Sequence, residues 1–116
     1  MRAGIAGAIL ALLAACTTTN SPTPQENDAA KAAYTKCLID NIARVDDGHS
    51  DPQSIATSVQ PACAVQYNAL IQIVVNQCCT TEDSKNSTQQ KMKSEELKVI
   101  TGAVLHYRAA KRGDKQ

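Results

Sequence analysis

Apolar residues recur at intervals of three and four along most of this 116-residue chain, from Asp28 to about Arg112. This spacing puts them on one face of an α-helix, whereas a half-buried strand would need strict alternation. The first stripe ends before Asp46-Asp47-Gly48, where the glycine can adopt the left-handed conformation that closes a helix. Ser50-Asp51-Pro52-Gln53 then offers a capping box, with the serine as N-cap and the proline in the first turn. The pattern predicts an all-α domain.

Three apolar stripes predict three helices joined by short connections. Pro61 interrupts the second stripe and either kinks a continuous helix or starts a new one. Ser87-Thr88-Gln89-Gln90 offers a second capping box, and the helix that follows is expected to end at Gly113. We expect a small antiparallel bundle of three helices, or four if Pro61 breaks the second. The stripes comprise Ala30, Ala33, Tyr34, Cys37, Leu38, Ile42 and Val45; Ile55, Val59, Cys63, Tyr67, Leu70, Ile71, Val74, Val75 and Cys78; and Met92, Leu97, Ile100, Val104 and Tyr107.

The core of this bundle has to be mostly aliphatic, because the chain contains no Phe, no Trp and only three Tyr. Small exported domains with weak cores are commonly stabilised by disulfides. In a hairpin that turns near Gly48, Cys37 lies about eleven residues before the turn and Cys63 about fourteen after it. At about 1.5 Å rise per residue the two positions differ in height by only about 4 to 5 Å. The spacing predicts a Cys37–Cys63 disulfide.

The adjacent pair Cys78-Cys79 leaves three interpretations open. Neighbouring residues on a helix point about 100° apart, so they normally serve different partners. The pair could bond to Cys37 and Cys63 instead, if Pro61 folds the chain back. It could form a vicinal disulfide or a dithiol that binds a soft metal such as copper(I). It could also bridge to another molecule. A crosslinking role for all four cysteines is the expectation.

The N-terminus has the order of a secretory signal. A positive start at Met1-Arg2 precedes an apolar stretch, Ala3 to Leu13, that is too short to span a bilayer, which takes about 20 residues. Leu13-Ala14-Ala15-Cys16 resembles the lipobox of bacterial lipoproteins, a resemblance that covers only the first sixteen residues. It implies cleavage after Ala15, a lipid on Cys16 and acylation of the new amino group. Residues 1–15 are thus expected to be removed, 16–27 to form a lipidated polar tether and 28–116 the helical periplasmic domain.

The lipobox resemblance also implies a location in the cell. In lipoproteins of this type the residue after the cysteine influences sorting, and here it is Thr17 and not the aspartate associated with inner-membrane retention. We therefore expect the protein to be bound through its lipid to the outer membrane and to face the periplasm. The cysteines that flank the Asp46-Asp47-Gly48-His49-Ser50-Asp51 turn also resemble those of small uncharacterised exported helical proteins. That second resemblance implies no activity.

Charge is distributed unevenly along the chain. Residues 85–116 hold eight of the twelve Lys and Arg residues, while eight of the eleven acidic residues lie between 16 and 84. The basic third helix could meet lipid phosphates or an acidic partner, or it could be a solvated face paired with the acidic half. Nucleic acid is not an expected partner, because of the envelope address and the few aromatic residues. The candidate contacts with an anionic surface are Lys91, Lys93, Lys98, Arg108, Lys111 and Arg112.

Residues capable of catalysis or metal binding form no recognisable set. His49 lies among three aspartates, but their spacing does not match a calcium loop and helix capping explains them. Phosphate loops, zinc spacings and catalytic triads are absent from the sequence. We therefore expect no cofactor, no metal and no enzymatic activity. The leading hypothesis is a structural or interaction module that binds another envelope protein or a cell-wall component. The alternatives are a thiol or soft-metal handling protein that uses Cys78-Cys79 and a small inhibitor or exclusion lipoprotein.

Overall fold

The computed structural model describes residues 23–113, and this part of the chain is an all-α bundle without strands. The helices are α1 (Pro24–Val45), α2 (Pro52–Val59), α3 (Ala64–Cys78) and α4 (Glu82–Gly113), with a 3-10 turn at Gln60–Cys63 between α2 and α3. None of these helices combines the length and apolar character needed to cross a membrane. The predicted fold class is confirmed, in its four-helix form.

Helix α1 begins four residues earlier than predicted. Thr23 is its N-cap: the Thr23 hydroxyl accepts from the Glu26 N–H at 3.2 Å, and the Glu26 carboxylate accepts from the Thr23 N–H at 2.7 Å. Pro24 occupies the first helical position, where its missing N–H costs nothing. The prediction that residues 24–27 belong to the tether is therefore wrong. The error arose because a Thr-Pro sequence is typical of flexible linkers, although here it begins a capping box.

The turn between α1 and α2 is held by its aspartates. Asp46 ends α1 in an extended conformation, and its N–H donates to the Ile42 carbonyl at 2.8 Å. Gly48 has φ +77°, the left-handed conformation expected there, but it lies in the turn and not at the helix end. Asp51 caps α2, accepting from the Ser54 N–H at 3.1 Å. The prediction of Ser50 as N-cap is wrong by one residue, since its hydroxyl donates to Asp47 instead.

Pro61 breaks the second helix. It has no N–H to continue the α-helical ladder, and the chain forms the 3-10 turn before α3 starts at Ala64. Helix α4 starts at Glu82, capped by the Thr81 hydroxyl, which accepts from the Ser84 N–H at 3.2 Å. The capping box predicted at residues 87–90 therefore lies inside α4. Acidic residues at 82 and 83 in the first turn favour this earlier start through the helix dipole.

Three long segments run up, down and up along the bundle. They are helix α1, the arm formed by α2, the 3-10 turn and α3 (the α2–α3 arm), and helix α4. The α2–α3 arm is antiparallel to α1, with Tyr34 beside Tyr67 (ring centroids 4.9 Å apart) and Asn27 donating to Gln77 at 3.3 Å. Helix α4 is antiparallel to this arm, and the Tyr67 hydroxyl donates to the Met92 carbonyl at 2.5 Å. Helices α1 and α4 are consequently parallel neighbours. The largest fully buried side chains are Ile42, Ile71, Ile100, Val59, Val104 and Cys63.

The predicted Cys37–Cys63 disulfide is present. It joins the middle of α1 to the 3-10 turn, with the two Cα atoms 5.9 Å apart. Cys63 is completely buried in the core. The amide of Asn41 lies over the sulfurs and donates to the Cys37 carbonyl at 2.8 Å. This crosslink fixes the register of α1 against the α2–α3 arm.

Removing this disulfide tests how much the fold depends on it. The double variant Cys37→Ala/Cys63→Ala is expected to lose about 3.5 kcal/mol of unfolding free energy, because the bond closes a 26-residue separation in the unfolded chain. Urea titration followed by circular dichroism measures the loss. The matched variant Cys78→Ala/Cys79→Ala should change the same quantity little, since a bond between neighbours closes no long loop. Equal losses in the two variants would contradict the prediction.

Candidate functional site: the groove between α1 and α4

The parallel neighbours α1 and α4 leave an open apolar groove of about 510 Å³ along their seam. This volume lies within the range typical of ligand pockets. Two of its side chains, Ile39 and Val99, are about half exposed although they are large and apolar. The α1 wall comprises Tyr34, Thr35, Leu38 and Ile39, and the α4 wall Val99, Ala103, His106, Tyr107 and Ala110.

No pattern in the sequence predicts this groove. Ile39 and Val99 lie outside the predicted apolar stripes, and single exposed apolar residues are common on any protein surface. Only the parallel arrangement of α1 and α4 brings the two side chains to one seam. A groove between helices that are distant in sequence is a product of tertiary packing, so no local pattern encodes it.

A buried polar cluster lies behind one end of the groove. The Tyr34 hydroxyl and the Glu96 Oε1 are buried without a hydrogen-bond partner among the described residues. The other oxygen of Glu96 accepts from the Gln60 amide at 3.0 Å. Burial and the nearby Glu96 raise the pKa of Tyr34, and the same two causes raise the pKa of Tyr67. Both phenols therefore stay neutral at physiological pH.

One end of the bundle is closed by a buried ion pair between Asp46 and Arg108. The Arg108 guanidinium donates to both oxygens of Asp46, at 2.7 to 3.2 Å, and to the Ser50 carbonyl at 2.7 Å. Only 2% of the Asp46 side chain and 16% of the Arg108 side chain are exposed. Hydrogen bonding to Arg108 lowers the pKa of Asp46 despite its burial. The pair ties α4 to the end of α1 and to the following turn.

The six basic residues predicted to contact an anionic surface do not share one face. Arg108 is paired with Asp46, so its inclusion in a free basic surface is wrong. Lys111 and Arg112 line a polar cavity of about 390 Å³ at the bundle end, together with the 46–49 turn, and Lys111 lies 5.3 Å from the Tyr107 ring centroid. The remaining three, Lys91, Lys93 and Lys98, are exposed further along α4. A seven-residue interval places Lys91 and Lys98 on one side of the helix, away from Lys93.

Cys78 and Cys79 form a vicinal disulfide, with Cα atoms 3.7 Å apart. Of the three interpretations, pairing with Cys37 and Cys63 is thus not the one adopted. Cys78 is the last residue of α3, and Cys79 is extended, with φ −133° and ψ 128°. The helix ends between them because helical geometry would point the two side chains apart. The disulfide lies at the α3–α4 junction, at the end of the bundle where α1 begins.

No group of three or more His, Cys, Asp or Glu side chains within residues 23–113 could hold a metal ion. His49 and its aspartates are organised by capping. Asp47 accepts from the His49 and Ser50 N–H groups at 2.8 and 2.7 Å, and hydrogen bonding to Ser50 lowers its pKa. The signal segment, Cys16 and most of the tether lie outside the described residues.

Comparisons of this chain with protein-family models, with curated proteins and with solved structures find no match. The candidate site therefore stands on its geometry alone.

The two core tyrosines should respond oppositely to loss of their hydroxyls. Tyr34→Phe removes a buried donor that has no partner, so we expect the free energy of unfolding to rise by up to about 1 kcal/mol. Tyr67→Phe breaks the bond to the Met92 carbonyl and should lower it by about 1 kcal/mol. Chemical denaturation of both variants under one set of conditions measures the difference. A shift of the same sign in both would refute the assignment.

Acid should weaken the bundle through Asp46. Because the folded-state pKa of Asp46 is lowered, its stabilising contribution is complete above the unfolded value, about 3.9, and is lost as the pH falls through the lower folded value. Asp46→Asn should therefore be less stable at neutral pH and should lose less stability between about pH 5 and pH 2. Thermal unfolding across this range measures both effects. Glu95→Gln, which removes an exposed carboxylate of α4, should keep the wild-type profile, and a parallel profile for Asp46→Asn would count against the ion pair.

Proposed function

We propose that this chain is a lipid-anchored, non-enzymatic protein of the bacterial cell envelope that binds an amphipathic helix of a partner protein in the α1/α4 groove. The observation that carries the proposal is the groove itself, an open apolar seam on a bundle whose register is fixed by a disulfide. An apolar cleft that is already formed in this way can bind a partner with little reorganisation.

The shape of the groove favours a helix as occupant. Its α4 wall runs from Val99 to Ala110, which is about 16 Å, or three helical turns. Ala103 and Ala110 are short side chains that allow a second backbone to approach closely. Helices α1 and α4 already lie side by side, so an added helix would pack against both, as in a larger bundle. Binding an apolar helix face in such a groove is a common mode of peptide recognition.

Charge at one end of the groove specifies the partner further. Lys111 lies over the ring of Tyr107, a groove residue. Arg108 is occupied by Asp46, and Arg112 lines the separate polar cavity at the bundle end, so the positive charge offered to a partner in the groove comes from Lys111. A partner helix that carries carboxylates at this end would be complementary to the groove in both shape and charge.

The anchor supports an envelope address for this binding. Lipidation of Cys16 would attach the domain permanently, since two or more acyl chains hold a protein on a membrane. Six residues, 17–22, separate Cys16 from the helix cap at Thr23, so these two residues can be at most about 25 Å apart. The domain would therefore face the periplasm close to the outer membrane, and partners there include envelope proteins that pass near the bilayer.

Site-specific photo-crosslinking in intact cells tests the proposal. A photoreactive amino acid at Val99, in the groove, should yield a crosslink to another envelope protein. The matched position is Leu105, on the same helix and equally exposed at 52%, but outside the groove. Leu105 should yield no such product. Ala103→Arg, which fills the groove, should abolish the Val99 crosslink while leaving the unfolding temperature within a few degrees of wild type.

The controls separate the anchor from the groove. Cys16→Ser should release the protein from membranes and reduce the crosslink, without changing the fold of residues 23–113. Equal crosslinking from Val99 and Leu105 would refute the groove as a specific site. A dimer of this chain as the sole Val99 product would show self-association and overturn the assignment of a separate partner.

A further inference from the structure

The vicinal disulfide Cys78–Cys79 differs physically from Cys37–Cys63. A disulfide stabilises a fold mainly by shortening the loops available to the unfolded chain, and the effect grows with loop length. Cys37 and Cys63 are 26 positions apart, whereas Cys78 and Cys79 are neighbours. The second bond therefore adds almost nothing to stability by this route. Its presence calls for a chemical explanation.

The two sulfurs of the vicinal disulfide have unequal surroundings. Cys78 is exposed at the end of α3, whereas Cys79 is half-buried in the α3–α4 junction. The hydroxyl of Thr88, on α4, lies 3.4 Å from the Cys79 sulfur and 3.9 Å from the Cys78 sulfur. A disulfide sulfur carries no hydrogen, so the hydroxyl is the donor. An incoming group reaches Cys78 more easily, and the Cys79 sulfur has a hydrogen-bond donor beside it.

We infer that Cys78–Cys79 is a site of thiol–disulfide exchange that accepts electrons from a dithiol. A thiolate of the dithiol attacks the Cys78 sulfur, the Cys78–Cys79 bond breaks, and its electron pair leaves on the Cys79 sulfur. The Thr88 hydroxyl stabilises this thiolate, which then takes a proton from water. The second thiolate of the dithiol attacks its own mixed disulfide and releases Cys78. The dithiol is oxidised to a disulfide, and two electrons and two protons reduce the cysteine pair.

The buried disulfide supplies the internal comparison. Cys63 is fully buried, and the Asn41 amide covers the sulfurs of Cys37 and Cys63. Attack on a disulfide needs a line of approach to one sulfur. The core blocks approach to the Cys63 sulfur, and the Asn41 amide restricts approach to the half-buried Cys37 sulfur. Exchange should thus be confined to Cys78–Cys79 as long as the bundle is folded. This inference does not rest on the proposed groove and concerns the opposite end of the bundle.

The test uses the full-length chain, extracted from membranes in detergent and treated with dithiothreitol as the dithiol probe. Samples are quenched with acid at intervals, alkylated and mapped by mass spectrometry, which keeps Cys16 separate from the other cysteines. We expect Cys78 and Cys79 to become alkylated at least about tenfold faster than Cys37 and Cys63. Equal rates, or faster opening of Cys37–Cys63, would overturn the inference.

Two further measurements test the direction of attack and the role of Thr88. Reduced glutathione, a monothiol probe, should be trapped on Cys78, and trapping mainly on Cys79 would contradict the mechanism. Thr88→Val should slow exchange about tenfold, the effect of one hydrogen bond to a developing charge, while Thr88→Ser should retain the wild-type rate. Both variants should unfold at the wild-type temperature. An unchanged rate in Thr88→Val would remove this residue from the mechanism.

Discussion

The Cys37–Cys63 disulfide is the constraint on which the rest of the bundle depends. The core of the described residues is built from Ile, Val, Leu and two Tyr, with Ala56 and Cys63, because the chain has no Phe or Trp. Such a core buries a modest area for each residue that is ordered. A covalent link from the middle of α1 to the 3-10 turn compensates by restricting the unfolded chain. It also sets the height at which Tyr34 meets Tyr67, and through Tyr67 the height at which α4 docks.

This register explains why the bundle is tight on one side and open on the other. Helix α4 is fastened to the α2–α3 arm by the bonds of Tyr67 and Gln60, and to the turn after α1 by Arg108. The ion pair of Arg108 with Asp46 joins α4 to α1 at the C-terminal end of α1. The seam between the two parallel helices therefore remains a groove, and each of its walls is held in place by contacts made elsewhere in the bundle. The position of the α1/α4 groove therefore follows from the positions of the hydrogen bonds and the ion pair that hold α4.

The sequence predicted the features that depend on local spacing. The apolar stripes identified Tyr34, Leu38 and Ile42 as core residues, and helix rise alone was enough to pair Cys37 with Cys63. The helix starts at Thr23 and Thr81 were missed because their caps compete with stronger linker and capping signals nearby. The groove and the Asp46–Arg108 pair join residues more than fifty positions apart. Contacts of that kind depend on the relative placement of whole helices, which no local pattern fixes.

The two disulfides show that an even number of cysteines does not imply a single role for them. Stabilisation by a crosslink requires separation along the chain, and Cys37–Cys63 has it, together with a Cys63 sulfur that lies fully inside the core. Cys78 and Cys79 are also disulfide-bonded, as expected, but this bond has neither separation along the chain nor a fully buried sulfur. Exchange of a disulfide requires an approachable sulfur and a stabilised leaving thiolate. Cys78 is the approachable sulfur, and the Thr88 hydroxyl stabilises the thiolate that leaves on Cys79. Exposure and short separation make this bond a weak stabiliser of the fold, and the same exposure makes it a suitable site of exchange.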